Sequence, residues 1–343
     1  MAKRKLTGHQ VRRIQQSRTA RREAARERID RQLDEGDGKS LGPETRGIVI
    51  TSFGHTLVVE GGDGTLQRCV ARRTLETPVC GDRVFWQTST ETEGVIVALE
   101  HRRSILARPD HSRRSKPLAT NIDQVLVVIA PRPEPSEALV DRYLAAVEAM
   151  GVEALVVLNK SDLLQDPVND PLLKRLAVYE NVGYPVVQIS TKTGEGLAAL
   201  GKAMRRGTGI LLGQSGVGKS SLVKALLPHQ EIAIRAISQT TGLGTHTTTN
   251  ATLYHLETGG DLIDSPGVRS FEPALTADQV ASGYLELAPF LGHCKFSNCS
   301  HTAEPQCALK QAVEAGKVDR RRFSRFLDLQ AQAGLRDELK YPL

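Results

Sequence analysis

The 343-residue sequence contains no run of apolar residues approaching the roughly 18 to 20 needed to cross a bilayer. Its basic N-terminus is followed by no apolar segment of the kind a secretory leader carries. The expectation is a cytoplasmic chain with no membrane partner. Cysteine is scarce as well. Five residues cannot make an even disulfide framework, and three of them crowd between 294 and 307 beside a histidine, which favours a metal over disulfides. With 40% hydrophobic residues the chain can still bury substantial cores, and its length suggests two or three domains.

The net charge of +6 is unevenly placed. Residues 3–31 hold eleven Lys or Arg against three acidic residues, Glu23, Glu27 and Asp30. Such an arm either contacts nucleic acid, releasing counterions from the phosphates, or is a solvated tail. A glycine-rich linker at 36–42 follows. The segments 47–60, 67–72, 82–87 and 94–99 are then β-branched or alternating, broken by turn residues at 61–64 and 78–81. Four or five short strands of this kind suit a small closed barrel such as an OB-fold. Arg102, Arg103, Arg108, Arg113, Arg114 and Lys116 cluster at its exit and point to an RNA-facing surface. From residue 121 apolar runs alternate with helical periods, the pattern of buried parallel strands in a doubly wound α/β domain. Beyond about Leu275 the strands stop and the pattern is helical. The expected layout is therefore multidomain: a basic arm at 1–42, an OB-fold barrel at 43–116, an α/β domain at 117–274 and a helical domain at 275–343 with a core of its own.

The α/β segment carries the chemistry. G-Q-S-G-V-G-K-S at 213–220 satisfies G-x-x-x-x-G-K-[ST] between a predicted strand at 209–212 and a predicted helix at 219–227. Gly213, Gln214, Ser215, Gly216, Val217 and Gly218 would wrap backbone N–H groups around phosphate oxygens at a positive helix end, with Ser221 continuing the turn into the helix. Lys219 would balance the β and γ phosphates, and the Ser220 hydroxyl would ligate magnesium. The base is chosen elsewhere. Asn159, Lys160, Ser161 and Asp162 form N-K-x-D after an apolar run. The Asp162 carboxylate can accept from guanine N1–H and the exocyclic amine, whereas adenine would leave it unpaired. Ser190 opens S-T-K-T-G-E-G at 190–196, a second guanine-side loop.

Two further pieces face the phosphates. D-S-P-G at 264–267 offers Asp264 to the magnesium shell and the Gly267 N–H to the γ-phosphate, and G-L-G-T-H-T-T-T at 242–249 is a polar loop suited to close over it. Thr248 is the expected magnesium ligand there, with Thr247 as the alternative. Many GTPases orient water with a glutamine after the D-x-x-G glycine, but Val268 stands there. His246 in the threonine loop is the nearest polar candidate to replace it, the alternative being an exposed loop histidine. Finally, Cys294-x4-Cys299-x-His301-x5-Cys307 supplies three thiolates and an imidazole, a closed tetrahedral set for one structural zinc. Cys69 and Cys80 read as small apolar residues of the barrel.

In ordinary GTPases the P-loop comes first; here N-K-S-D and the Ser190 loop precede it. With the Cys/His cluster, G-L-G-T-H-T-T-T at 242 and D-S-P-G-V-R at 264, this order resembles ribosome small-subunit-dependent GTPase A, the circularly permuted bacterial RsgA family, over about residues 43–325. The departures are Ser265, where the family usually has Thr, and the long arm before residue 40. The resemblance implies a GTPase that hydrolyses GTP to GDP and phosphate; the chain itself is expected to be a monomer. It implies action late in small-subunit assembly, binding to the subunit and its rRNA through barrel and zinc domain, and stimulation by that subunit. It also implies a zinc knuckle with the same four ligands. A GTP-dependent zinc chaperone would want open ligation or a His-rich tract, and the sequence has neither. An RNA-binding module with a decayed GTPase conflicts with intact Asp162, Lys219, Ser220 and Asp264.

Overall fold

Apolar alternation folds the first region into five strands: β1 (Thr45–Phe53), β2 (Thr56–Gly61), β3 (Leu66–Ala71), β4 (Arg83–Thr88) and β5 (Glu93–Leu99). The computed structural model describes residues 41–109, 115–166, 168–205, 207–229, 236–237, 240, 250–265, 273 and 275–340. The segment 47–60, continuous in the sequence pattern, is cut into β1 and β2 because Gly54 takes a φ of 72° in a two-residue turn that pairs Phe53 with Thr56. Antiparallel pairs β1–β2, β2–β3, β4–β5 and β1–β4, with a parallel β3–β5 pair, close the ring. Val49, Leu57, Val59, Cys69, Val84, Trp86 and Ile96 fill it. Burial pushes the Cys69 thiol up to about 12, so it acts as the small apolar group expected. Cys80 lies instead in the core the barrel shares with the next sheet. β6 (Ile105–Pro109) and β7 (Ser115–Thr120) form a separate hairpin sheet beside the barrel.

Beyond it, β8 (Gln124–Ile129), β9 (Glu153–Leu158), β10 (Val186–Gln188), β11 (Thr208–Leu212), β12 (Thr252–His255) and β13 (Asp261–Asp264) assemble in the order β10-β9-β8-β11-β13-β12. All are parallel to their neighbours except β12, which runs antiparallel to β13. The continuous apolar runs follow from the pleat. On β8, Val125, Val127 and Ile129 enter one core while Leu126 and Val128 enter another on the opposite face. Among the described residues four helices follow strands of this sheet: α1 (Glu137–Met150), α2 (Pro171–Val182), α3 (Leu197–Ala203) and α4 (Lys219–Leu226). Ser136 caps α1 by accepting from Leu139 N, and Gly151 ends it at a φ of 66°. The far edge strand β12 pairs with barrel strand β1 at Thr51 and Thr252, and Ile50 and Val58 of the barrel enter the sheet's own core.

The helical end comprises α5 (Ala277–Ser282), α6 (Ala308–Glu314) and α7 (Arg320–Lys340). Its core is shared with α1, where the sequence pattern predicts a separate one. Ala145 and Ala146 of α1 belong to it, and a Cβ on Gly283 would come within 2.6 Å of the Ala145 Cα, so glycine is what permits α5 to approach α1. Among the described residues no helix is long and apolar enough to cross a membrane.

Candidate functional site

Four loops meet at the carboxyl ends of β8, β9, β10 and β11, where an open parallel sheet binds ligands. The loop after β11 turns on glycines: a Cβ on Gly213 would lie 2.2 Å from the Val128 carbonyl, and one on Gly218 2.4 Å from Asn159 Nδ2. No side chain fits at either position. Val217 is buried, Ser215, Gly216, Ser220 and Ser221 are exposed, and α4 begins at Lys219. Its first N–H groups open onto the loop. Lys219 is itself buried and its Nζ donates to the carbonyls of Gly213 (2.5 Å) and Gln214 (2.7 Å). The ammonium is thus folded over the loop's own rim, where an anion would find it.

Asn159, fully buried, ties three loops together. Its Nδ2 donates to Val217 O (2.9 Å) and its Oδ1 accepts from Thr191 N (3.2 Å). Lys160 adopts a φ of 61° and donates from Nζ to Gly216 O (2.7 Å) and Arg132 O (2.9 Å), laying its stem along the P-loop. Ser161 and Asp162 start a single 3-10 turn, Ser161–Leu163. Asp162 Oδ1 accepts from Ser190 Oγ at 2.6 Å, while that same hydroxyl accepts from the backbone N–H of Lys192 (3.3 Å) and Thr193 (3.2 Å). The loop carrying N-K-S-D and the loop opened by Ser190 are therefore one structure. On the other flank the register Ile210↔Ile263 sets Asp264 beside the root of the P-loop. His246, Thr247, Thr248, Gly267 and Val268 lie outside the described residues.

The fourth loop, 131–136, was not singled out by sequence reasoning. Gln214 binds it closely: Nε2 donates to Glu134 O (3.0 Å) and Oε1 accepts from Ser136 N (3.4 Å). Its only sequence signal is three prolines in five residues, Pro131, Pro133 and Pro135. The clustered basic residues also divide. Arg102 is held by Asp82 through Nε and Nη2 (both 2.8 Å) and by Glu76 (3.0 Å), so its charge is taken up in fastening the barrel. Arg103 pairs with Asp123 at 2.7 Å; Lys116 is exposed, and Arg113 and Arg114 fall outside the described residues.

Cys294, Cys299, His301 and Cys307 bring their ligand atoms within 4.8 Å of one another, a cluster that could hold a metal ion. Cys294 and Cys307 Sγ stand 3.8 Å apart, and His301 Nδ1 lies 3.5 and 3.4 Å from them. His301 and Gln306 turn the chain at positive φ, 65° and 57°. Among the described residues this is the one cluster of its kind.

The RsgA GTPase family model matches residues 99–274. The chain is 44% identical over 327 residues to the small ribosomal subunit biogenesis GTPase RsgA of Pseudomonas aeruginosa strain LESB58, covering 95% of this chain and 96% of that protein. The chain belongs to the RsgA GTPase family. The protein of the same description from Proteus mirabilis is 41% identical, with 99% of each chain covered. Among solved structures, YjeQ from Thermotoga maritima superposes with a TM-score of 0.70 at 30% identity, over 85% of this chain and 99% of that one. YloQ, described as a circularly permuted GTPase, gives 0.69 at 28%, over 88% and 98%.

In this RsgA-family chain the helical end that carries the Cys/His cluster is fastened to α1 by charge as well as by packing. Arg322 on α7 is 1% exposed and donates to Asp141 on α1 (2.7 Å) and to both carboxylate oxygens of Glu286. Its guanidinium sits over the rings of Tyr179 (5.2 Å) and Tyr284 (4.9 Å). Arg325 adds Asp141 (2.5 Å) and Glu137 (2.7 Å). No sequence motif announced this network.

Proposed function

We propose that this chain binds GTP in the cradle of the four loops, hydrolyses it to GDP and phosphate, and so assists late assembly of the small ribosomal subunit. The observation that carries the reading is the joining of Asp162 to Ser190 and of Asn159 to Val217, which sets a base-reading carboxylate and a glycine-walled phosphate loop in one site. The names of the relatives supply the biological setting. In this assignment Gly213, Gln214, Ser215, Gly216, Val217, Gly218, Ser220 and Ser221 line the phosphates. Asn159, Lys160, Ser161, Asp162 and Ser190 frame the guanine. Lys219 gives up its carbonyl partners to meet β and γ oxygens, and the Gly267 N–H serves the γ-phosphate. Ser220, Asp264 and Thr248, or Thr247 in its place, would hold Mg2+, which neutralises charge on the phosphates. Val268 can neither donate nor accept a hydrogen bond, so we assign water positioning to His246.

The four ligands of the cluster suit Zn2+: with metal–sulfur bonds of about 2.3 Å a tetrahedral site separates two thiolates by about 3.8 Å. All four positions are taken by protein atoms, so the role is structural. The reading includes the four-part division at 42, 116 and 274, a cytoplasmic monomer, and rRNA as part of the partner surface.

GTP turnover measured with and without purified small subunits tests the function. Turnover should be slow alone and rise when subunits are added; a rate unmoved by subunits would sink the biogenesis role. Cys299→Ala should release the metal and melt the turns around 291–307, as loss of hydrogen-exchange protection there, because ligand binding supplies most of the free energy that orders such a loop. The shared core and Arg322 should keep α7 on α1 in that variant. Stoichiometric zinc retained after dialysis would count against this ligand set.

A further inference from the structure

β12 leads from the threonine-rich segment 242–249 towards β13 and its D-S-P-G loop, so it joins the two segments assigned to the γ-phosphate. The barrel grips this strand at both ends. At the start, the buried Thr51 of β1 donates from Oγ1 to Ala251 O (2.8 Å) and lies 3.3 Å from Thr252 Oγ1. At the finish, His255 stands between two carboxylates: Nε2 is 2.6 Å from Glu60 Oε2 on barrel strand β2, and Nδ1 is 2.6 Å from Asp261 Oδ1 on β13.

An ionised carboxylate only accepts, and a neutral imidazole has one N–H, so both contacts are made as hydrogen bonds only by the imidazolium. The two carboxylates, Asp261 first and Glu60 second, push the His255 pKa up to about 10 against the opposing effect of burial. The ring is therefore a fixed cation at neutral pH. The cation locks Glu60 of the barrel, β12 and β13 in one register.

We propose that His255, with Glu60 and Thr51, is a positioning device through which the barrel's contact with a partner is passed to GTP hydrolysis. It rests on the function proposed above. Among the described residues they touch none of the four loops of the cradle, so they act on the rate through the strand they hold. Coupling of this kind is reciprocal, so nucleotide on the GTPase side must also be felt by β1 and β2.

Three variants test it: His255→Gln and Glu60→Gln, which break the ion pair while keeping a polar side chain, and His255→Lys, which restores a cation between the carboxylates. With purified small subunits, the two glutamine variants should lose about tenfold in stimulated kcat. Their KM for GTP, unstimulated turnover and subunit affinity should stay within twofold of the parent, and His255→Lys should recover most of the loss. A merely structural defect would instead lower unstimulated turnover and thermal stability together, without rescue by lysine. Stimulated kcat within twofold of the parent in both glutamine variants would overturn the proposal. Hydrogen exchange separates this failure from that of the function. A non-hydrolysable GTP analogue, compared with GDP, should change amide protection in β1 and β2 of the parent chain and not of His255→Gln. Binding of the analogue with unchanged barrel protection sinks the coupling alone. No guanine nucleotide binding by the parent sinks the proposed function and the coupling with it.

Discussion

Arg322→Met should destabilise the fold by about 3–5 kcal/mol, the usual loss when one partner of a buried ion pair is removed and the other charge is stranded. Methionine fills much of the arginine's volume, so the loss is mainly electrostatic. Asp141 is left with Arg325, while Glu286 loses its guanidinium altogether. The deficit should depend on pH with a defined sign. Burial pushes the Asp141 carboxyl up, whereas Arg322, Arg325 and the Tyr179 hydroxyl hold it down. Without Arg322 it rises further above its unfolded value of about 3.9. A group whose folded value is raised stabilises the fold below the unfolded value and loses that contribution as pH climbs through the folded one. The urea midpoint of the variant should therefore fall further below the parent's at pH 7 than at pH 5. Equal deficits at the two pH values would mean that Asp141 does not take up the proton.

Asp162→Asn should invert the choice of base. One carboxylate oxygen accepts from Ser190 Oγ at 2.6 Å, and a hydroxyl donor of this kind selects the carbonyl end of an asparagine amide. The amide NH2 then faces the base, where GTP needs an acceptor and xanthine nucleotides, with a carbonyl at position 2, need a donor. Mismatched buried groups cost about 1–3 kcal/mol each, so GTP affinity should drop roughly 10- to 100-fold while xanthosine triphosphate gains by a similar factor. The combined swing in preference is on the order of 10³-fold, measurable by competition binding at equilibrium. Unchanged preference would show that Asp162 does not read the base. Ser190→Ala in the same background should weaken the inversion, since nothing would then orient the amide.

The glycine-walled loop after β11 was legible because its requirements are local. Gly213 and Gly218 stand where a Cβ would strike Val128 O or Asn159 Nδ2, and such positions write glycine into the sequence at fixed spacing. The Cys/His cluster was legible for a similar reason: four soft ligands within fourteen residues seldom gather except around a metal. The parallel sheet could be read because burial on both faces leaves uninterrupted apolar runs, as on β8. What sequence did not disclose depends on contacts far apart in the chain. Arg322 and Asp141 are 181 residues apart, and neither sits in a pattern that distinguishes it from an exposed charge on a helix. The same holds for Arg102, which looked like one of a basic cluster until Asp82 claimed it. The expectation of separate cores failed because Ala145 and Ala146 are too small to mark a second apolar face on α1, although that face is what α5 packs against.

The place of β12 has a consequence for solubility. An open sheet ends in two rows of unpaired backbone groups, each a template on which another chain can add a strand. Among the described residues this sheet runs out on one side in β10, three residues long. On the other, β12 is abutted by β1, which belongs to a ring that has no end of its own. The barrel therefore occupies that border where Thr51 meets Thr252, and leaves less of it open to another chain.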